Sequence, residues 1–116
     1  MIRTLCRALA AAVVGALATA AVASVVVDAS GTVTTGAASQ QVMAAKASRT
    51  YLMCQNPITA TETLFVNFDA AASTTAGSLE LAPGGSVSFH GQSFVPTGAV
   101  NVTAATTGHR FVCKQG

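Results

Sequence analysis

Tryptophan is absent from this chain of 116 residues, tyrosine occurs once and phenylalanine five times. Half of the residues are apolar, but most of these are Ala and Val, so the core must be thin. Two packed β layers suit such a core better than a deep α/β interior. Charge is scarce too, with six Lys and Arg against four Asp and Glu. Arg3 and Arg7 stand near the N-terminus, which leaves Lys46, Arg49, Arg110 and Lys114 against Asp28, Glu62, Asp69 and Glu80, a formally neutral remainder. The chain has no basic stripe of the kind that holds nucleic acid and no acidic run. A neutral, charge-poor surface resists association weakly, which points to a chain covered by neighbours in an assembly. The alternative is a soluble monomer wetted by its many Ser, Thr, Asn and Gln.

Signatures of chemistry are missing as well. The histidines are His90 and His109, and no nucleophile stands beside either in a recognised pattern. Gly84-Gly85-Ser86-Val87-Ser88 lacks the last glycine of a nucleophile elbow and sits between strand-like runs. The four acids are scattered, with no spacing that pairs two of them, and read as solvated surface groups. His109 and Cys113 share a strand face but stand about 13 Å apart along it, too far for one tetrahedral ion, so the histidines read as polar surface residues. No glycine-rich phosphate loop opens a helix. The expectation is a protein that is not an enzyme, with no cofactor, no metal and no small-molecule substrate.

What the chain does have is organised in two parts. Residues 1–23 form a hydrophobic, helix-like segment: Arg3 and Arg7 lead an Ala/Val/Leu run that ends in the small-x-small triplet Ala21-Val22-Ala23. This pattern fits a cleaved secretory signal, an assembly arm that packs on a neighbouring subunit, or an uncleaved anchor. Residues 24–116 show no repeat and no dividing linker, and are read as one domain.

Alternation of period two marks the strands of that domain. Leu64, Val66 and Phe68 point one way, while Phe65 and Asn67 point the other. Val87 and Phe89 alternate with Ser86, Ser88 and His90. Further strands are expected at 24–28, 40–45, 49–55, 79–81, 99–104 and 109–114. Ala82-Pro83-Gly84-Gly85 has the composition of a type II turn, which makes LELAPGGSVSF, residues 79–89, a predicted β-hairpin. The small, polar stretch 71–77 reads as a mobile loop. Seven or eight short strands imply an all-β fold, an antiparallel β-sandwich or jelly-roll-like domain behind the N-terminal hydrophobic helical segment.

Cys6 belongs to the N-terminal segment, leaving Cys54 and Cys113 as a candidate disulfide. Closing so long a loop is worth roughly 3 to 5 kcal/mol on the loop-entropy model. In a reducing cytosol the same two residues are instead buried thiols, packing as small apolar groups.

Four stretches carry a resemblance. Arg49-Thr50-Tyr51-Leu52 leads into Gln55-Asn56-Pro57; Leu64-Phe65-Val66-Asn67-Phe68, Leu81-Ala82-Pro83-Gly84-Gly85-Ser86 and Phe94-Val95-Pro96-Thr97-Gly98-Ala99-Val100 follow. In these the chain, from about Gly31 onward, resembles small virion structural proteins of tailed bacteriophages, β domains of the capsid-decoration or cement type. The resemblance implies a non-enzymatic subunit on the capsid surface. It would work as a homo-oligomer through contacts with the major capsid protein or other virion proteins. Tyr51, Phe65 and Phe94 are the candidate interface residues, with core packing as the alternative for each. Export conflicts with this resemblance, because capsids assemble in the cytosol. The competing reading is a periplasmic or secreted β-sandwich binding module, stapled by Cys54 and Cys113 after signal cleavage.

Overall fold

The computed structural model describes residues 25–91 and 94–116. The hydrophobic segment 1–23, expected to be helical, lies outside the described residues. The rest is all-β, with nine short strands that pair only in antiparallel fashion. They are β1 (Val27–Asp28), β2 (Gly31–Thr32), β3 (Gln40–Met43), β4 (Tyr51–Gln55), β5 (Leu64–Phe68), β6 (Leu79–Leu81), β7 (Ser86–His90), β8 (Val100–Thr103) and β9 (Arg110–Gln115).

These strands form two sheets. The first has the order β1-β9-β4-β7, with β2 also on β9; the second has the order β3-β8-β5-β6. Val27 lies opposite Gln115 and Thr32 opposite Arg110, so β1 and β2 are two halves of one interrupted strand. At the interruption Ser30 N–H donates to Asp28 Oδ1 at 3.0 Å, and hydrogen bonding from the Ser30 side chain, with this N–H second, lowers the Asp28 pKa from its ordinary value. Residues 24–28 were expected as a strand, but pairing begins only at Val27, and Gly31–Thr32 has no alternation by which to recognise it.

The sheets pack face to face in a sandwich-like arrangement, because the inward residues of both belong to one cluster. Leu52, Cys54, Phe111 and Cys113 come from the first sheet; Met43, Leu64, Val66, Leu81, Val100 and Val102 come from the second. Phe68 and Phe89 meet edge to face across the two sheets, with centroids 5.5 Å apart. The cluster contains a single aromatic among its fully buried members, Phe111, and is otherwise built from aliphatic side chains and the cysteines.

The expected hairpin at 79–89 is not one. β6 pairs with β5 and β7 with β4, so the two arms of LELAPGGSVSF belong to different sheets. The turn itself has the expected chemistry: Gly85 N–H donates to Ala82 O at 2.7 Å, and Gly84 takes φ +82°. A tight turn of this kind fixes a chain reversal but not the pairing of its arms. Here Asn56 captures the turn from the β4 side, with Gly84 N–H donating to Asn56 O and Asn56 N–H to Gly85 O, each at 2.9 Å. The reversal is thereby held over the end of the core, and β7 crosses to the first sheet.

The stretch expected to be a mobile loop, 71–77, is anchored at its start. It folds back over the outer face of the second sheet, where Asn101 Nδ2 donates to Ala70 O, Asn67 Nδ2 to Ala71 O, and Ala72 N–H to Ser39 Oγ. Ala72 is buried as a result.

Cys54 and Cys113 are register partners on the neighbouring strands β4 and β9, with Cα atoms 4.2 Å apart, and are joined as a disulfide in the centre of the core. The spacing is that of a non-hydrogen-bonded antiparallel pair, which brings opposed side chains close. The sequence separation of 59 residues gives a chain-entropy contribution of about 4 kcal/mol. Reduction is therefore expected to lower unfolding stability by an amount of that order, read as a drop in the guanidinium midpoint with and without reductant. An unchanged midpoint contradicts this account.

Candidate functional site

The strand directions give the sandwich two poles. Loops 33–39, 56–63, 82–85 and 104–109 gather at one; loop 44–50 and residues 94–99 gather at the other, together with residues 25–26 and Gly116. A polar network closes the core at each.

At the first pole the inward row of β4 runs on past Leu52 and Cys54 to Asn56, and the inward row of β9 begins before Phe111 with His109. Asn56 is wholly buried, and its Nδ2 donates to Glu62 O at 2.8 Å and Leu81 O at 2.9 Å. Its Oδ1 is therefore left to accept from His109 Nε2, 2.8 Å away. The other ring nitrogen, Nδ1, lies 3.1 Å from Glu62 Oε1. His109 thus bridges the Asn56 side-chain amide and the Glu62 carboxylate. Glu62 is engaged further, accepting from Thr106 N–H at 3.1 Å and Thr106 Oγ1 at 3.0 Å.

The sequence reading placed His109 and Glu62 among solvated surface groups. The His109 side chain is instead only 6% exposed and Glu62 25%. The two come together across 47 residues because the β4–β5 and β8–β9 loops meet at one pole, a contact that no local spacing reports. The available signal was parity, since His109 shares a face with Phe111 and Cys113. His90, by contrast, is exposed on the edge strand β7.

Beside this network lies a cavity of about 290 Å³, lined by Glu62 and His109 together with Thr59, Thr61, Thr106 and Arg110. A general base needs a free lone pair facing the cavity. Both His109 nitrogens and Glu62 Oε1 are committed to neighbours, while Glu62 Oε2 has one partner, Thr106 Oγ1. The arrangement locks loops together and presents threonine hydroxyls to solvent. The same pole shows a close backbone approach at Gly36, whose N–H donates to Thr107 Oγ1 at 2.9 Å and where a side chain would strike Ala105 O. Among the described residues no group of three or more His, Cys, Asp and Glu stands together.

At the second pole Arg49 is buried and its guanidinium is held by oxygens alone. Nε donates to Gln115 Oε1 at 2.9 Å, Nη1 to Pro96 O at 2.6 Å and Gly98 O at 2.8 Å, and Nη2 to Ala44 O at 2.9 Å. Burial lowers the pKa of this arginine from its ordinary value, and the nearby Asp69 charge opposes the shift. The cage ties together the segment after β3, the segment before β8 and the end of β9.

The three aromatics singled out from the sequence are not brought together. Tyr51, half-buried, lies on the outer face of the first sheet opposite His90; Phe65, also half-buried, lies on the outer face of the second, opposite Thr103 and Glu80. Phe94 is 79% exposed in the loop before β8. Comparison with known protein families, characterised proteins and solved structures finds no match. The phage resemblance therefore rests on its motif residues.

Replacing Asn56 by Ala leaves two buried carbonyls and a ring nitrogen without partners, and is expected to cost about 3 kcal/mol. Glu62→Gln keeps an acceptor toward His109 and is expected to cost about 1 kcal/mol. Chemical denaturation of the two variants checks the order, and equal losses would refute the arrangement of bonds described for His109.

Proposed function

We propose that the chain is a non-enzymatic structural subunit of a bacteriophage virion, a capsid-decoration or cement protein that acts through protein–protein contacts on the particle surface. The observation that carries this reading is the strand order. With β1 and β2 counted as one strand, the sheets read 1-8-3-6 and 2-7-4-5 in chain order. That is the double Greek-key pattern of a jelly roll, an architecture of viral capsid domains and also of lectins and cupins. Shape alone does not decide among these, and three further features favour the particle.

The domain is formally neutral and poor in charge, so covering its surface desolvates few ions. The histidine–carboxylate pair of His109 and Glu62 joins loops at one pole, a structural use of these groups. The motif stretches that carry the phage resemblance fall on β4, β5, the β6–β7 turn and the loop before β8, where they serve the fold: Arg49 and Asn56 close the two poles, and Pro83-Gly84-Gly85 makes the crossing. Tyr51, Phe65 and Phe94 are the aromatics we assign to contacts with the major capsid protein or other virion proteins.

A second reading, an exported periplasmic or secreted β-sandwich binding module, is favoured by one observation, the Cys54–Cys113 disulfide. The bridge is compatible with the particle too, because disulfides persist on virion surfaces after release from the reducing cytosol. The N-terminus separates the readings. On the virion reading the protein co-purifies with intact particles and its mass includes residues 1–23. Absence from purified particles, or recovery only as a chain beginning at Ser24 in the periplasm or medium, sinks the virion assignment.

A further inference from the structure

We propose that the segment Val27–Thr32 is a strap that gates the Cys54–Cys113 disulfide, so that the bridge exchanges with thiols in the surroundings without unfolding of the domain. The inference holds whether the chain stands on a particle or is exported, and rests on neither reading. Both cysteines are wholly buried, and thiol–disulfide exchange requires a thiolate to reach one of the two sulfurs. The strands that carry them, β4 and β9, are the interior strands of the first sheet, so a route in from its edges passes either β7 or the strap of β1 and β2.

The β7 side is closed along its whole length. Ser86–His90 pairs with all five residues of β4, Val87 stands opposite Cys54, and Val87 and Phe89 pack against the core. The strap side is slighter. Continuing the register of β1, the partly buried Ala29 stands beside Cys113, and its N–H donates to Cys113 O at 2.8 Å. Ser30 completes the contact: its Oγ accepts from Cys113 N–H at 3.1 Å and donates to Cys113 O at 3.4 Å. The residues of β1 and β2 are all exposed, and Gly31 has no side chain to place in the core. Val33, which is buried, anchors the far end. An element with few buried apolar contacts and exposed backbone hydrogen bonds opens at lower cost than the whole domain. Release of Val27–Thr32 as far as Val33 uncovers the edge of β9 at Cys113 and leaves the two-sheet core packed. A thiolate of a dithiol reductant then attacks Cys113 Sγ, forming a mixed disulfide and expelling the Cys54 thiolate, which takes up a proton. The second thiol of the reductant, as its thiolate, displaces Cys113 in turn. The protein disulfide is thereby reduced to two thiols and the dithiol is oxidised to its disulfide. Run backwards with a disulfide oxidant, the same gate lets a chain that folded with free thiols close its bridge later.

The test is reduction of the oxidised full chain by dithiothreitol in native buffer, read by alkylation and mass spectrometry, in which each opened bridge adds two alkyl groups. The reduction rate is expected to rise only weakly with urea below the unfolding transition, because strap release exposes little surface, whereas global unfolding depends on urea steeply. Ser30→Ala removes both hydroxyl bonds to Cys113 and is expected to speed reduction by about tenfold. Leu81→Ala, a core change on β6, which turns directly into β7, is expected to speed unfolding in denaturant and leave native reduction unchanged. As a measurement on the unaltered chain, the amide protons of Ala29 and Cys113 are expected to exchange with solvent together, and faster than those of β4. Reduction with the urea dependence of global unfolding, no acceleration by Ser30→Ala, equal acceleration by Leu81→Ala, or Ala29 and Cys113 amides that exchange as slowly as those of β4 overturns the gate.

Discussion

The inward face of β9 reads His109, Phe111, Cys113, Gln115, and the structure depends on that row. Its two middle members are buried in the core, and its two outer members close the core's ends by hydrogen bonding. A sandwich filled with small aliphatic side chains buries little apolar area per residue, so open ends that admitted water would cost a large part of its stability. A buried polar group is tolerated only when its bonds are made. Asn56 and His109 satisfy each other at one end, and Arg49 satisfies four oxygens at the other. The disulfide between the middle of this row and β4 fixes the two central strands in register.

The polar closures also differentiate the poles. The His109 network pulls the β4–β5 and β8–β9 loops together, and what remains on its outside is a threonine-rich surface around a shallow cavity. The Arg49 cage binds its loops from within through backbone oxygens, so no polar side chain is required on the outside of that pole. Valines 25–27 and Phe94 are exposed there, beside the exposed Ser48, Thr50 and Thr97.

Much of the fold was legible because strand alternation is a local property. The inward positions Leu64 and Val66, and the half-buried Val87 and Phe89, follow from period two alone, and they lie where the pattern places them. Where pattern and structure part, the cause is non-local. LELAPGGSVSF carries correct turn chemistry, but a hairpin and a crossing between sheets use the same four residues, and the choice was made by Asn56, 27 residues before Pro83. The stretch 71–77 has the composition of a free loop, and two hydrogen bonds, one with Asn67 of the second sheet and one with Ser39 of the β2–β3 loop, hold the backbone of its first two residues. His109 and Glu62 each look like a solvated polar residue in sequence; only the meeting of two loops makes them a pair.

The sequence by itself determined an all-β domain of short antiparallel strands, its thin aliphatic core, its near absence of charge and the parity that sends Cys54 and Cys113 inward, because composition and period two act through residues two positions apart. Tertiary structure alone decided which strands are neighbours, that the two cysteines stand in register, and that Asn56, Glu62, His109 and Arg49 are closures of the core. These depend largely on contacts between residues far apart in the sequence, whose loop-closure cost is met by the collapse of the whole domain and not by any local preference.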